Sequence, residues 1–409
     1  VYNYIEGVKK SKSPVDLLAL FSLSYIGGMG VSCFKLSRLQ TDWELMTWIC
    51  LFLAYICFYI FYTRIAGLTK KNICRASSEV NHASMEKRLA LSIYVLTAVS
   101  LLAFCIEALI LGYIPLFTVG VPHAYSYFHI SGVHYFTVSC VLVPALSAAC
   151  VFEARKKGMG LRRKRAAAVG ICTFTAFMIP ILCVSRFQLI FAVMLLLIIM
   201  ISVTGLNLKK TMLVAGGALI VLLPFYIFLT VERAHSISYL NGIFEMKDPE
   251  TPIFISQPYI YIANNYDNFN CMVRDLSEHT MGMRMLFPFW ALTGLKFIIP
   301  DVISSPLFVT KTELTTLTLF YDAYYDFGAF GVAGLSALLG YVCRRAFDRI
   351  RTDSNPALHL IYAQLAAYMG LSFFTTWFSN PTTWFYLALS VIIYLYSGGC
   401  FEKILKMRS

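Results

Sequence analysis

AAAVGICTFTAFMIPILCVSRFQLIFAVMLLLIIMISVTG, residues 166–205, runs for forty residues with a single charge, Arg186. At 1.5 Å per residue one helix of that length would measure about 60 Å, twice the hydrocarbon core of a bilayer. The run therefore reads as two spanning helices with a tight break, and Arg186 falls on the break. The stretches LIFAVMLLLIIMISVTG and TMLVAGGALIVLLPFYIFLTV are apolar all round, which suits lipid and not the two-faced environment of a soluble helix.

The whole chain shares this character. Of 409 residues 58% are hydrophobic and 14% charged, against about a quarter charged in soluble domains, and the mean hydropathy is +0.68. The expected fold class is an all-α polytopic integral membrane protein with about ten transmembrane helices. The expected spans are 15–34, 43–63, 89–112, 133–152, 166–184, 187–205, 211–231, 328–343, 357–378 and 383–399. They divide the chain into seven N-terminal spans (1–231), a loop of 96 residues (232–327) and three C-terminal spans (328–409). The chain opens on Val1 rather than Met, which points to a missing N-terminal piece, and no cleavable signal peptide is visible.

Lys and Arg set the orientation, because short cytoplasmic loops carry the positive excess. With both termini cytoplasmic, 25 of the 34 Lys and Arg lie inside, most densely in EARKKGMGLRRKR. The net charge of +12 is then a topology signal that also favours anionic headgroups, and it needs no nucleic acid. The twelve cysteines are scattered through apolar runs without metal-ligand spacing, and no HxxxH or HExxH occurs, so the sequence supports neither a disulfide framework nor a metal site. The 232–327 loop lies outside, with eleven carboxylates against six Lys and Arg. Its apolar piece MLFPFWALTGLKFIIP reads as an interfacial or re-entrant helix, since an eleventh crossing would put Arg344, Arg345, Arg349 and Arg351 outside.

Long loops in compact proteins usually carry function, and the outer face collects chemistry. Arg186 and Arg233 both fall at that surface, where a guanidinium can fork two donors onto a phosphate or simply reach headgroups and helix-end carbonyls. Asp322 and Asp326, four apart in LFYDAYYDFGAFG, share a helical face. They can orient sugar hydroxyls or serve as a base, or they can be ordinary helix-start carboxylates. In QPYIYIANNYDNF, Asn264, Asn265 and Asn268 with Tyr259, Tyr261 and Tyr266 combine amides and flat rings, a mixture that suits sugars and equally any interfacial loop. Tyr125, Tyr127 and Phe128 can extend that wall. Five of seven histidines fall outside, at 123, 129, 134, 235 and 279, and His235, two residues from Arg233, is the candidate base among them, with a purely structural histidine as the alternative. Glu107, near the outer end of the third span, is a candidate for a buried charge or a carboxylate that simply reaches the interface.

GYIPLF after the third span, SRFQLI at the hairpin, PYIYIANNYDNF in the loop and LFYDAYYDFGAFGVAGLSALLG entering a late span together resemble the bacterial oligosaccharide repeat-unit polymerases of the O-antigen type, over residues 110–345. The resemblance implies a type C glycosyltransferase-like enzyme of the bacterial cytoplasmic membrane, metal-independent and without cofactor. It would transfer glycan between polyprenyl-diphosphate-linked oligosaccharides on the extracytoplasmic face, with a chain-length-regulating co-polymerase as a partner. On this chain the diphosphate-binding role falls to Arg186 and to Arg233 or Arg284. The base falls among Asp322, Asp326, Glu232 and His235, and Tyr325 would be a sugar contact. A lipid-linked oligosaccharide flippase, a glycan ligase and a lipid-linked-sugar scaffold remain open alternatives.

Overall fold

The computed structural model describes residues 1–69, 82–118, 124–156, 158, 160–231, 237–298, 300 and 305–399. Among them helix is the regular structure throughout, apart from one antiparallel bridge between Ser37 and Met246. In chain order the helices that matter are α1 (Tyr2–Ser11), α2 (Leu17–Ser32), α3 (Leu45–Thr69), α4 (His82–Leu111), α5 (Val133–Lys156), α6 (Arg163–Leu182) and α7 (Arg186–Thr204). There follow α8 (Leu208–Val231), α9 (Ile237–Phe244), α10 (Ile253–Asp275), α11 (Phe287–Leu292), α12 (Tyr321–Arg349), α13 (Leu358–Gly370) and α14 (Pro381–Ser397).

Seven of these, α3 to α8 and α12, are long and apolar enough to cross a membrane, and they match the second to eighth expected spans. Of the other three, the first and ninth are shorter than expected, and the tenth keeps its expected length two positions earlier. Helix α2 is an apolar helix interrupted by a π-turn at Ser22–Ile26. The ninth span, expected over 357–378, stops at Gly370 after 13 residues, and α14 has 17. A chain buried among neighbours can break where its freed backbone groups find partners. Residues 371–380 do this: Leu319 N donates to the Ser372 carbonyl at 2.9 Å, and Asn265 Nδ2 to that of Phe373 at 2.7 Å.

Burial sorts the spans. Helix α5 is 78% buried over its membrane window, while α8 has none of its window buried. The small residues of α5, Ala145, Ser147, Ala148 and Ala149, let α4, α6 and α7 approach closely. The same device joins α3 to α12, where a Cβ on Gly340 would sit 2.5 Å from the Phe58 carbonyl oxygen. Helix α8 instead presents Leu213, Leu219 and Ile220 outward, as a lipid-facing helix must. The cation-rich ends collect at one rim of the bundle, where Arg165 pairs with Glu86 and Arg351 Nη2 donates to the Ser11 carbonyl at 2.5 Å.

Helix α12 begins at Tyr321, seven residues before the expected span, and kinks at Phe327 (φ −137°, ψ 16°) and Gly328 (φ 59°, ψ −146°). The Gly328 conformation is essentially open only to glycine. The helix turn bearing Asp322 and Asp326 is thereby set at an angle to the spanning part.

The 232–327 segment departs most from expectation. Instead of an open loop it contributes α10, a 23-residue helix buried along much of its length. Asp267 fastens it: the carboxylate accepts from Trp43 Nε1 and Gln40 Nε2, each at 2.8 Å, and from Ser32 Oγ at 3.3 Å, with Lys35 Nζ at 3.7 Å. Burial pushes this carboxyl above its ordinary range, and those hydrogen bonds work in the opposite direction. Asn270 Oδ1 accepts from Glu44 N and Thr47 Oγ1, and Tyr266 donates to the Tyr25 carbonyl. The apolar piece at 285–300 contains the six-residue α11 and a 3-10 turn at Leu295–Phe297, too short for a crossing.

Candidate functional site

The kink at Gly328 decides where the two aspartates point. Being four apart on one helical turn, both face the segment 279–285. Asp326 is fully buried and is wholly given to that segment: it accepts from Thr280 Oγ1, from Arg284 N at 3.2 Å and from Met285 N at 2.7 Å. His279 Nδ1 adds a donation to the Tyr325 carbonyl at 3.2 Å. Asp326 is therefore a clamp that shapes the turn carrying Arg284.

Asp322 holds the side chain that this turn presents. Arg284 Nε donates to Asp322 Oδ1 at 2.5 Å, and the guanidinium lies 4.5 Å over the Tyr325 ring and 5.7 Å from the Tyr321 ring centroid. Tyr321 is pinned in turn, its hydroxyl donating to the Phe308 carbonyl and accepting from Phe308 N. Burial works against the arginine's charge, but the Asp322 carboxylate outweighs it and raises the basicity above the ordinary value, so the group is a fixed cation. The pair lines a cavity of about 270 Å³ with Met283, Phe287, Thr376 and Ser379. With Nε committed to Asp322, the Nη groups are the donors that an anion in this cavity would meet.

Arg186 stands where length arithmetic puts it, at the first turn of α7 directly after the break at 183–185, half-buried. Val184 takes φ 53° and Ser185 N donates to the Pro180 carbonyl, which closes the hairpin tightly. The neighbouring Phe187 stacks on Phe374 at 5.4 Å and on Trp377 at 5.9 Å. Residues 371–380 thus touch both the Arg186 hairpin and, through Thr376 and Ser379, the Arg284 cavity. The structure brings Arg186, Arg284, Asp322, Asp326 and Tyr325 to one rim.

Among the described residues, the other expected site residues lie elsewhere. Arg233, His235 and Glu232 fall outside the described residues. Asn264, Asn265, Asn268 and Tyr259 were expected to offer amides and rings to sugars, but all four are buried and their polar groups serve the protein. Asn264 Oδ1 accepts from Thr310 Oγ1. Asn265 Nδ2 donates to the Tyr261 and Phe373 carbonyls, while its Oδ1 accepts from Thr316 Oγ1. Asn268 bonds the Leu314 and Thr316 carbonyls and Thr310 N, and the Tyr259 hydroxyl donates to Gln40 Oε1. For the asparagines the reason is geometric: packed against the irregular segment 308–318, a helix face must supply hydrogen bonds that this backbone lacks. Thr376 and Ser379 carry no sequence signal, since hydroxyls in an aromatic stretch read as ordinary interface.

No group of three or more His, Cys, Asp or Glu able to hold a metal ion occurs among the described residues. No family model, curated protein or solved structure matches the chain.

Proposed function

We propose that the chain polymerises polyprenyl-diphosphate-linked oligosaccharide repeat units, transferring glycan from one lipid carrier onto another at the arginine rim. The observation that carries this reading is Arg284: a permanently charged, oriented guanidinium in a cavity at the end of a membrane-helix bundle. A lipid-linked diphosphate enters at that depth, its polyprenyl chain in the bilayer and its sugars beyond it. In this reaction negative charge grows on the departing diphosphate, and a preorganised cation aimed at it lowers the barrier. Asp322 and the Tyr325 ring fix the guanidinium before substrate arrives, so little reorganisation is needed. Arg186, on the same rim, supplies a second cation for the same group or for the acceptor's diphosphate. The surplus of Lys and Arg at the other rim supports placing the arginine rim on the extracytoplasmic side of a bacterial cytoplasmic membrane.

The test is polymerisation by the purified protein in lipid nanodiscs, supplied with lipid-linked oligosaccharide extracted from membranes of the source strain. A ladder of products spaced by one repeat unit is expected. A single product of one size would mark a ligase, and no new glycosidic product would end the reading. Arg284→Lys is expected to lower turnover at least a hundredfold, since a point charge does not reproduce the oriented fork.

A further inference from the structure

The stretch 371–380, through Trp377 and Asn380, also lines a second cavity, of about 190 Å³, with a different chemistry. Its walls are aromatic: Phe187, Trp377 and Tyr386 line it, and Trp377 stacks on Tyr368 at 4.9 Å and on Phe191 at 5.9 Å. Its polar groups are uncharged amides and hydroxyls together with one imidazole, His134. Flat rings beside neutral hydrogen-bonding groups fit a sugar ring and not a phosphate. Gln188 also lines the cavity, and its Oε1 is buried and finds no donor among the described residues. A buried acceptor left unpaired costs stability and points to a donor supplied from outside, such as a hydroxyl.

His134 is held in a particular way. Glu107, fully buried in the bundle, turns its carboxylate on His134 Nδ1 at 3.0 and 3.2 Å. The carboxylate is itself fixed by Thr137 Oγ1 at 2.6 Å and Ile130 N at 3.0 Å. The His129 ring stands edge-on at 4.8 Å and restrains the imidazole further. A carboxylate on Nδ1 selects the tautomer with hydrogen there and leaves Nε2 as the acceptor for the cavity. By contrast, Asp326 is filled by three donors, and Asp322 Oδ1 is taken by Arg284 in the other cavity.

We propose that the aromatic cavity is the acceptor-sugar subsite and that His134, oriented by Glu107, is the general base of the transfer. This rests on the polymerase reading and deepens it. In the step, the acceptor hydroxyl oxygen forms a bond to the anomeric carbon of the donor while its proton moves to His134 Nε2. The anomeric carbon–oxygen bond to the diphosphate breaks, and its electron pair leaves with the lipid diphosphate beside Arg284. The imidazolium then returns its proton to that diphosphate or to water. Neighbouring residues of one short stretch line both cavities, Thr376 and Ser379 the first and Trp377 and Asn380 the second, so the donor and acceptor sites adjoin. Glu107 is a positioning residue, since it acts through the imidazole.

The test uses full-length protein in nanodiscs. The donor is the extracted lipid-linked oligosaccharide, and the varied acceptor is the free oligosaccharide released from the same lipid by mild acid. His134→Gln is expected to lower kcat by a hundredfold or more with the acceptor KM changed less than about threefold. Glu107→Gln is expected to lower kcat about tenfold, again with little effect on KM. Gln188→Met keeps the shape and removes an unpaired acceptor, so it folds at least as stably as the wild type. It is expected to raise the acceptor KM about tenfold and leave the donor KM unchanged. A folded His134→Gln protein that retains more than a tenth of wild-type kcat overturns the base assignment. An unchanged acceptor KM in Gln188→Met overturns the subsite. Either result with an active wild type leaves the polymerase reading standing, whereas a wild type that forms no glycosidic product removes both.

Discussion

Asp322 and Asp267 are both almost completely buried, and each sits at the centre of a network that joins distant parts of the chain. Asp267 ends its network: Trp43, Gln40, Ser32 and Lys35 surround it, and what it achieves is the seating of α10 against the end of α2 and the connection from α2 to α3. Asp322 opens its network: it holds one nitrogen of Arg284, and that arginine turns the rest of its fork toward a cavity. Two carboxylates of equal burial thus do opposite things. The difference lies in whether the partner has donors left over after the pairing, and burial alone does not disclose it.

This contrast can be broken by separating activity from stability. Arg284→Ala should reduce polymerisation about a thousandfold, the scale of losing one preorganised donor set at a charged transition state, while the melting temperature in detergent stays within a few degrees. Loss of folded protein instead would make Arg284 structural. Asp267→Ala should do the reverse: a loss of about 3 kcal/mol or more in unfolding free energy, because Gln40 and Trp43 lose their acceptor and the Lys35 ammonium its counter-ion. Chemical unfolding in mixed micelles reads it, and an unchanged midpoint would refute the seating role.

Asn268→Ala should cost about 2 kcal/mol by the same measurement, since it strands the Leu314 and Thr316 carbonyls. Gly328→Ala should cost about 1 kcal/mol or more, through its left-handed backbone and a new Cβ 3.1 Å from His279 Nε2. It should also lower activity, because the displaced turn carries Asp322. At the small end, Leu213→Ala on the lipid-facing side of α8 should change stability by less than about 0.5 kcal/mol.

The parts of this molecule that were legible in sequence are those governed by length and local spacing. Forty apolar residues fold back on themselves, so Arg186 had to lie at a hairpin, and two aspartates four apart had to share a face. The parts that were not legible depend on pairing across the chain. Composition alone makes IANNYDNF a wet surface, because nothing in it shows that the bare backbone at 308–318 will need those amides. Glu107 stood out as a charge in an apolar helix, but its partner His134 lies 27 residues away across a loop, at a separation no periodicity encodes. The ninth span looked continuous to 378 because the residues that receive its broken backbone, Asn265 and Leu319, belong to other segments.

The break itself has one more consequence. Residues 371–380 are fastened on several sides: Ser372 to Leu319 N and to Ser24 Oγ, Phe373 to Asn265, Trp377 Nε1 to the Leu371 carbonyl, and Phe378 to Trp384 Nε1. A shared wall anchored so firmly behaves as a ruler. Its shape, fixed before anything binds, sets how the occupants of the two adjoining cavities begin, and a graft that lengthened it by one residue would change that alignment without touching a single charged group.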